Sequence, residues 1–286
     1  MRKVLLTCLF VMLAGFSSLS AQEVVVCHDV NVTPGATEKF AALGKEKEFQ
    51  MAHDAPKVLE NYLAKGEMKE FKTPDGKTSK AYMVKAEKET KQYLFLVHEW
   101  WGLNDNIKRE AEEWASKLGN VNVLALDLYD GKATADPAEA GKLMQSVNGE
   151  RAKSIVSGAF MLVGKDAKVA TMGWCFGGGW SIQSALIGAK NVIGTVAFYG
   201  FPEMDVEKLK TLNADVLAVY GNKDKWITPE VGAKFEAAMK TAGKGIESLY
   251  YDADHAFANP SNPNFDVKSA TDANKKAFDY LSKRLK

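Results

Sequence analysis

From residue 68 onward the chain alternates short apolar runs with amphipathic stretches. Residues 68–73 and 79–84 flank the turn sequence Pro74-Asp75-Gly76-Lys77 and are predicted to pair as an antiparallel hairpin. Residues 93–97, 121–126, 167–172, 192–198 and 216–220 are apolar runs of the kind found in strands buried on both faces, and 246–251 reads as a further strand. Between them, Ile107, Ala111, Trp114 and Leu118 fall on one face of a helix over 107–118. Residues 137–163, 179–187, 229–242 and 267–285 also read as helices, with Pro229 suited to a first turn. Repeated strand–helix units predict an α/β fold, a mostly parallel sheet flanked by helices and entered through an N-terminal hairpin. Upstream, residues 36–49 and 57–65 have helical apolar faces, Phe40 and Leu43 in the first and Val58, Leu59, Tyr62 and Leu63 in the second. Gly66 is placed to end the second. The division is therefore a helical extension over 22–66 and a main domain over 67–286.

Residues 1–21 have a different character. Arg2 and Lys3 precede an apolar run over 4–14, and the small residues Ser17, Ser18, Ser20 and Ala21 follow. This is the pattern of a secretory signal peptide, with cleavage after Ser20 or Ala21. The run is too short to span a bilayer comfortably, so the expected product is exported, periplasmic or extracellular, without a stable membrane anchor.

Composition removes some functions. The formal net charge of the 286 residues is +1, and lysines alternate with acids, as in Lys45-Glu46-Lys47-Glu48. No basic run suggests nucleic acid, and the partner expected is a small molecule. Cys27-His28-Asp29 and His53-Asp54 are adjacent rather than spaced as metal ligands, so neither a metal nor another cofactor is expected. With Cys8 in the leader, Cys27 and Cys175 remain. In an oxidising compartment they could pair, but a nucleophilic Cys175 has to stay free.

The chemistry centres on Gly173-Trp174-Cys175-Phe176-Gly177-Gly178. An apolar strand runs into a Gly-x-Cys-x-Gly turn and then a helix, the nucleophile-elbow pattern with Cys in the place more often held by Ser. Gly173 and Gly177 let strand and helix approach closely, and the thiol sits at a helix N-terminus that favours thiolate. Parallel sheets place their sites at the carboxyl ends of the strands. Glu99, Cys175, Asp224 and His255 all follow apolar strands. A thiol needs a base, imidazole serves near neutral pH, and a carboxylate fixes its tautomer. The order Cys175, Asp224, His255 is that of nucleophile, acid and base in α/β-hydrolases. Asp252 and Asp254 are rival acids, but both adjoin His255 in sequence.

From about residue 68 to the C-terminus the chain resembles dienelactone hydrolase and its relatives, a cysteine-nucleophile branch of the α/β-hydrolase fold. The motifs are His98-Glu99-Trp100-Trp101-Gly102-Leu103-Asn104, Asp127-Leu128-Tyr129, the elbow, Asp224, and His255-Ala256-Phe257. The resemblance implies that Cys175 attacks a carbonyl, His255 shuttles the proton and Asp224 orients His255. It also implies that Glu99 controls the resting thiol and that backbone N–H groups of Trp100 and Phe176 form the oxyanion hole. The family enzyme grips a substrate carboxylate with arginines; here the corresponding places read Asp130-Gly131-Lys132 and Asn259. Asn cannot supply the bidentate grip, which argues against dienelactone as substrate. Trp101, Tyr129, Tyr199, Trp226 and Phe257 are the expected lining of an aromatic, fairly apolar pocket, with Lys132 offering one positive charge.

The resulting expectation is a hydrolase of a small ester, lactone or thioester acting through a thioacyl intermediate. Two rivals stand beside it. One is a non-catalytic protein that binds a ligand or glycan on the same fold. The other is a redox protein using Cys27 and Cys175, weakened by the lack of a Cys-x-x-Cys pair. Oligomeric state, monomer or homodimer, is left open.

Overall fold

The computed structural model describes residues 35–286, so the expected leader and Cys27 lie outside the described residues. The strands are β1 (Glu67–Lys72), β2 (Thr78–Val84), β3 (Gln92–Val97), β4 (Asn122–Leu126), β5 (Lys168–Trp174), β6 (Val192–Phe198), β7 (Val216–Gly221) and β8 (Ile246–Tyr251). They form one eight-stranded sheet in the order β1-β2-β4-β3-β5-β6-β7-β8. β2 pairs antiparallel with β1 and with β4, and every other pairing is parallel. The hairpin-then-parallel order predicted from the apolar runs is the order observed. Every residue of β4 and of β7 is buried, as continuous apolar runs require when helices cover both faces of a sheet.

The helices are α1 (Ala36–Leu43), α2 (Lys47–Met51), α3 (Asp105–Leu118), α4 (Pro137–Gln145), α5 (Gly149–Val163), α6 (Phe176–Gly188), α7 (Val206–Leu209), α8 (Pro229–Thr241) and α9 (Val267–Ser282). Ile107, Ala111 and Trp114 form the buried stripe of α3, while the Asn104 side chain caps its first turn by accepting from Ile107 N–H. The single helix expected over 137–163 is two, because Asn148 caps α5 by accepting from Arg151 N–H. Among the described residues no helix is long and apolar enough to cross a membrane.

α6 is central. It is buried almost all round, since it runs from the elbow beneath α1 and beside α5. Its approach to the sheet depends on missing side chains. A Cβ on Gly177 would lie 2.2 Å from Val97 O, and one on Gly173 would lie 2.1 Å from Gly177 O. Both contacts are against backbone, which cannot move aside without separating α6 from β3 and β5.

The extension differs from its predicted form. Residues 36–49 hold α1 and the start of α2, separated by a turn at Gly44. Residues 57–65 are not helical. Asn61 has φ of +56°, and Val58 and Leu63 are 85% and 84% exposed, so the proposed apolar face has nothing to bury against. Instead this stretch is a strap pinned by side chains. Glu112 Oε1 accepts from Tyr62 OH and from Lys65 N–H, each at 2.7 Å, and Asn106 Nδ2 donates to Lys57 O at 3.0 Å.

Candidate functional site

Cys175 ends β5 and starts α6 with φ of +53° and ψ of −119°, a region that costs a residue with a side chain of order 1–3 kcal/mol. Two further non-glycine residues at the same sheet edge have positive φ, Tyr199 at +35° and Ala256 at +59°. They lie beside the ends of β6 and β8, so the left-handed conformations gather around one point. The elbow is held by Cys175 N–H donating to Phe198 O at 3.0 Å and by Gly178 N–H donating to Cys175 O at 2.9 Å.

His255 follows β8 and reaches the carboxylate that follows β7. Its Nδ1 lies 2.7 Å from Asp224 Oδ2, and both side chains are buried. Asp224 is fixed in turn, because its Oδ1 accepts from Trp226 N–H and Ile227 N–H, both at 2.9 Å. The rival acids are occupied elsewhere. Asp254 Oδ1 accepts from the backbone N–H of His255 at 3.2 Å, and exposed Asp252 pairs with Lys223 at 3.0 Å. Of the three carboxylates, Asp224 is the one that reaches the His255 ring.

The free ring nitrogen of His255, Nε2, belongs to the thiol side. It has no hydrogen bond of standard geometry, yet it stands close enough to Cys175 for the two groups to shift each other's ionisation. Burial disfavours the imidazolium, but the Asp224 carboxylate, aided by a thiolate at Cys175, outweighs it and holds His255 well above the ordinary histidine range. Cys175 is a free thiol, 1% exposed. Burial pushes it up, the neighbouring His255 opposes this, and the Glu99 charge adds to the rise. The helix N-terminus and the Phe176 N–H favour thiolate, but desolvation wins, and the thiol is held above its ordinary range.

Glu99, after β3, is 7% exposed. Burial raises it to about 7, against the opposing effects of His255 and of Asn259. Asn259 Nδ2 donates to Glu99 Oε2 at 2.5 Å. The amide is oriented by Ser261, whose N–H and Oγ–H both donate to Asn259 Oδ1, at 2.8 and 2.7 Å. Sequence reading treats Asn259 only as the loss of an arginine; in the structure it holds Glu99. The adjoining His98 is a structural brace. Its Nδ1–H donates to Glu99 O at 2.6 Å and its Nε2 accepts from Leu128 N–H at 3.2 Å, tying the ends of β3 and β4 together.

The aromatic residues are distributed unevenly. Tyr199 packs 5.2 Å from His255 between ring centres and 5.7 Å from Phe257; Trp226 packs 5.7 Å from His255. Tyr129 is buried against His98 and Phe176. Trp101 lines a hollow of about 230 Å³ with Glu99, Trp174 and Asn259. The structure does not bring Lys132 to the thiol. It is exposed and lines a separate hollow of about 150 Å³ with Tyr129 and Arg151. Glu99, Tyr199 and His255 all lie close enough to Cys175 for their charges to act on one another.

The dienelactone hydrolase family profile matches residues 79–285. Carboxymethylenebutenolidase 1 of Cupriavidus pinatubonensis is 24% identical over 216 residues, covering 71% of this chain and 90% of that one. Protein usf of Aquifex pyrophilus is 27% identical over 195 residues, covering 63% and 83%. The dienelactone hydrolase from Anabaena variabilis superposes with a TM-score of 0.60 at 16% identity, covering 78% of this chain and 99% of its own, a likeness of fold alone. Residues 35–66 lie outside the family match.

Proposed function

The chain belongs to the dienelactone hydrolase family of α/β-hydrolases, and from that premise we propose that it hydrolyses a small ester, lactone or thioester with Cys175 as nucleophile, His255 as base and Asp224 as its orienter. The observation that carries this reading is the buried Asp224–His255 contact of 2.7 Å, with the second ring nitrogen left for the thiol. His255 Nε2 takes the thiol proton as sulfur bonds to the carbonyl carbon, and the negative charge moves to the carbonyl oxygen. Backbone N–H groups of Phe176 and Trp100 are the donors assigned to that oxygen. Collapse of the adduct breaks the bond to the leaving group, which takes the proton from His255 and leaves a thioester on Cys175. Water then attacks the thioester, His255 removes its proton, and the carboxylic acid departs as the thiol is restored. The hollow beside Glu99 and Trp101 suits a small acyl group; the arginine on its wall, Arg109, stands at neither of the places, Asp130-Gly131-Lys132 and Asn259, where the family enzyme grips a carboxylate. Acid quenching during turnover of phenyl propionate, followed by peptide mass spectrometry, should place a propionyl group on Cys175. An acyl group on any other side chain would remove the proposal. Export is part of the same proposal, and a mature N-terminus at Ala21 or Gln22 on protein recovered from an exporting host tests it.

Glu99 keeps the thiol protonated at rest in this reading. Its negative charge opposes a second negative charge on sulfur, so removing it should favour thiolate. In Glu99→Gln the pH midpoint of iodoacetamide labelling at Cys175 should therefore move down relative to wild type. A midpoint that stays put or rises would show that Glu99 does not act on the thiol.

A further inference from the structure

The thiol is shut off both from solvent and from the hollow beside it. Cys175 and His255 are each 1% exposed. The hollow of about 230 Å³ reaches Glu99 and Trp174, yet neither Cys175 nor His255 is among the residues that line it. A reaction at sulfur needs the attacked atom within about 3–3.5 Å, so the enclosure has to open before the thiol can act on a molecule from solution.

The enclosing parts differ in how firmly they are held. Trp226 and His255 are tied to the Asp224 carboxylate, and the His98 ring ties the backbone after β3 to that after β4. Moving any of these dismantles the constellation itself. The remaining cover comes from the extension. Phe49, in α2, is fully buried and packs edge-on against Trp100 at 5.2 Å and Trp226 at 5.1 Å, with its ring 5.8 Å from that of His255. His53, 4% exposed, is coupled to it, because its Nδ1 lies 2.7 Å from Phe49 O. Across 47–61, among the described residues, one hydrogen bond and one exposed ion pair reach the main domain: Asn106 Nδ2 to Lys57 O at 3.0 Å, and Lys225 to Glu48 at 3.7 Å. Both ends are fastened better. Gln145 Nε2 donates to Gly44 O at 3.0 Å before the segment, and Glu112 and Tyr82 hold Tyr62, Lys65 and Gly66 after it. A five-residue helix has no stability of its own, so the buried rings of Phe49 and His53 are what keep α2 in place.

We propose that residues 47–61 are a gate over Cys175, anchored at both ends and lifted in the middle, with Phe49 as its seal. Opening withdraws Phe49 from His255 and melts α2, which gives reagents and substrates a path to sulfur that the hollow alone does not offer. Segments with few bonds to the rest of a fold are those that open locally, and lids of this kind govern entry and release in many enzymes. The gate goes beyond the hydrolase reading, since it covers the thiol whatever the thiol does.

Alkylation of Cys175 tests the gate, read by peptide mass spectrometry with iodoacetamide and with the much larger pyrenylmaleimide. Each rate is divided by the thiolate fraction taken from its own pH profile. Relative to urea-unfolded protein, wild type should protect Cys175 from both reagents by the same factor, because both react with one open form. Phe49→Ala should lower that protection about tenfold or more, since only the closed form loses a buried ring. Hydrogen exchange locates the moving part in wild type, and it decides the matter if Phe49→Ala fails to fold. Once pyrenylmaleimide occupies Cys175, Phe49 cannot reseat. The amides of Gln50, Ala52 and His53, bonded within α2 and the turn that follows it, should then exchange as in an unfolded peptide, while those of α1 keep their protection. Pyrenylmaleimide slowed far more than iodoacetamide, unchanged protection in Phe49→Ala, or unchanged exchange in α2 after labelling would each overturn the gate. Turnover keeps the two readings apart. Gated labelling in a protein that hydrolyses no ester removes the hydrolase reading alone. A propionyl group trapped on Cys175, with protection unchanged in Phe49→Ala, removes the gate alone.

Discussion

Replacing Cys175 with alanine should lower kcat for phenyl propionate by about 10⁴-fold or more, leaving only what binding and oxyanion donors achieve without a nucleophile. No other group at the strand ends can take over. The phenols of Tyr199 and Tyr129 are held well above their ordinary range by burial, with nearby negative charge adding to the effect. Ser181, in the same helix, donates to Gly178 O at 2.7 Å and faces the sheet. The substitution removes only a sulfur from a buried position, so the melting temperature should change by only a few degrees. Iodoacetamide should modify wild-type protein at residue 175 with matching loss of turnover, and substrate should slow it. Turnover within tenfold of wild type in Cys175→Ala would end the nucleophile assignment. The propionyl trap distinguishes this from a defect in binding, because a binding defect would slow acylation at Cys175 without moving the acyl group elsewhere.

The parts of this molecule legible in the sequence are those set by short-range pattern. The eight strands follow from apolar runs, and the parallel sheet from their alternation with helices. The elbow was legible because its glycines are needed for contact between neighbouring elements: Gly177 meets Val97 O, and Gly173 meets Gly177 O. Asp224 and His255 could be paired because strand order fixes which loops share an edge. What stayed hidden depends on long-range contact. His53 and His255 are 202 positions apart, and only folding shows that their rings meet. The strap over 57–65 has a helical apolar spacing, but Tyr62 and Lys65 are held by Glu112 instead, a preference no local pattern records. Asn259 was read by what it lacks, and its role became visible through the Ser261 bonds that turn its amide toward Glu99. Lys132 lines a hollow with Tyr129 and Arg151 rather than the one beside Glu99 and Trp101, a separation that only the folded chain reveals. The unexpected feature is electrostatic: a helix N-terminus suggests a ready thiolate, but enclosure of the thiol beside Glu99 reverses that tendency.

Asp224→Asn should cost nearly as much as losing the nucleophile, about 10³–10⁴-fold in kcat, although it exchanges one atom and leaves the fold intact. The reason lies in the partners of the carboxylate. Oδ1 accepts from two backbone N–H groups, Trp226 and Ile227, at 2.9 Å each. Asparagine must keep its carbonyl oxygen on those donors, since its NH₂ there would meet two N–H groups. The NH₂ then occupies the place of Oδ2 and points a proton at His255 Nδ1, 2.7 Å away in wild type. His255 can accept that bond only by moving its own proton to Nε2. The nitrogen that should receive the thiol proton is then already protonated. Removing the carboxylate also removes the charge that raises His255, so its pKa should fall toward or below the ordinary value. Raising the pH should rescue part of the activity by generating thiolate directly. The expected profile is a steady rise through the alkaline range in Asp224→Asn. NMR of ¹⁵N-labelled His255 should show the proton on Nδ1 in wild type and on Nε2 in the variant. A loss smaller than tenfold would mean that another acid orients the imidazole. Asp254→Asn, whose wild-type carboxylate contacts only the His255 backbone N–H, would then become the deeper loss of the two.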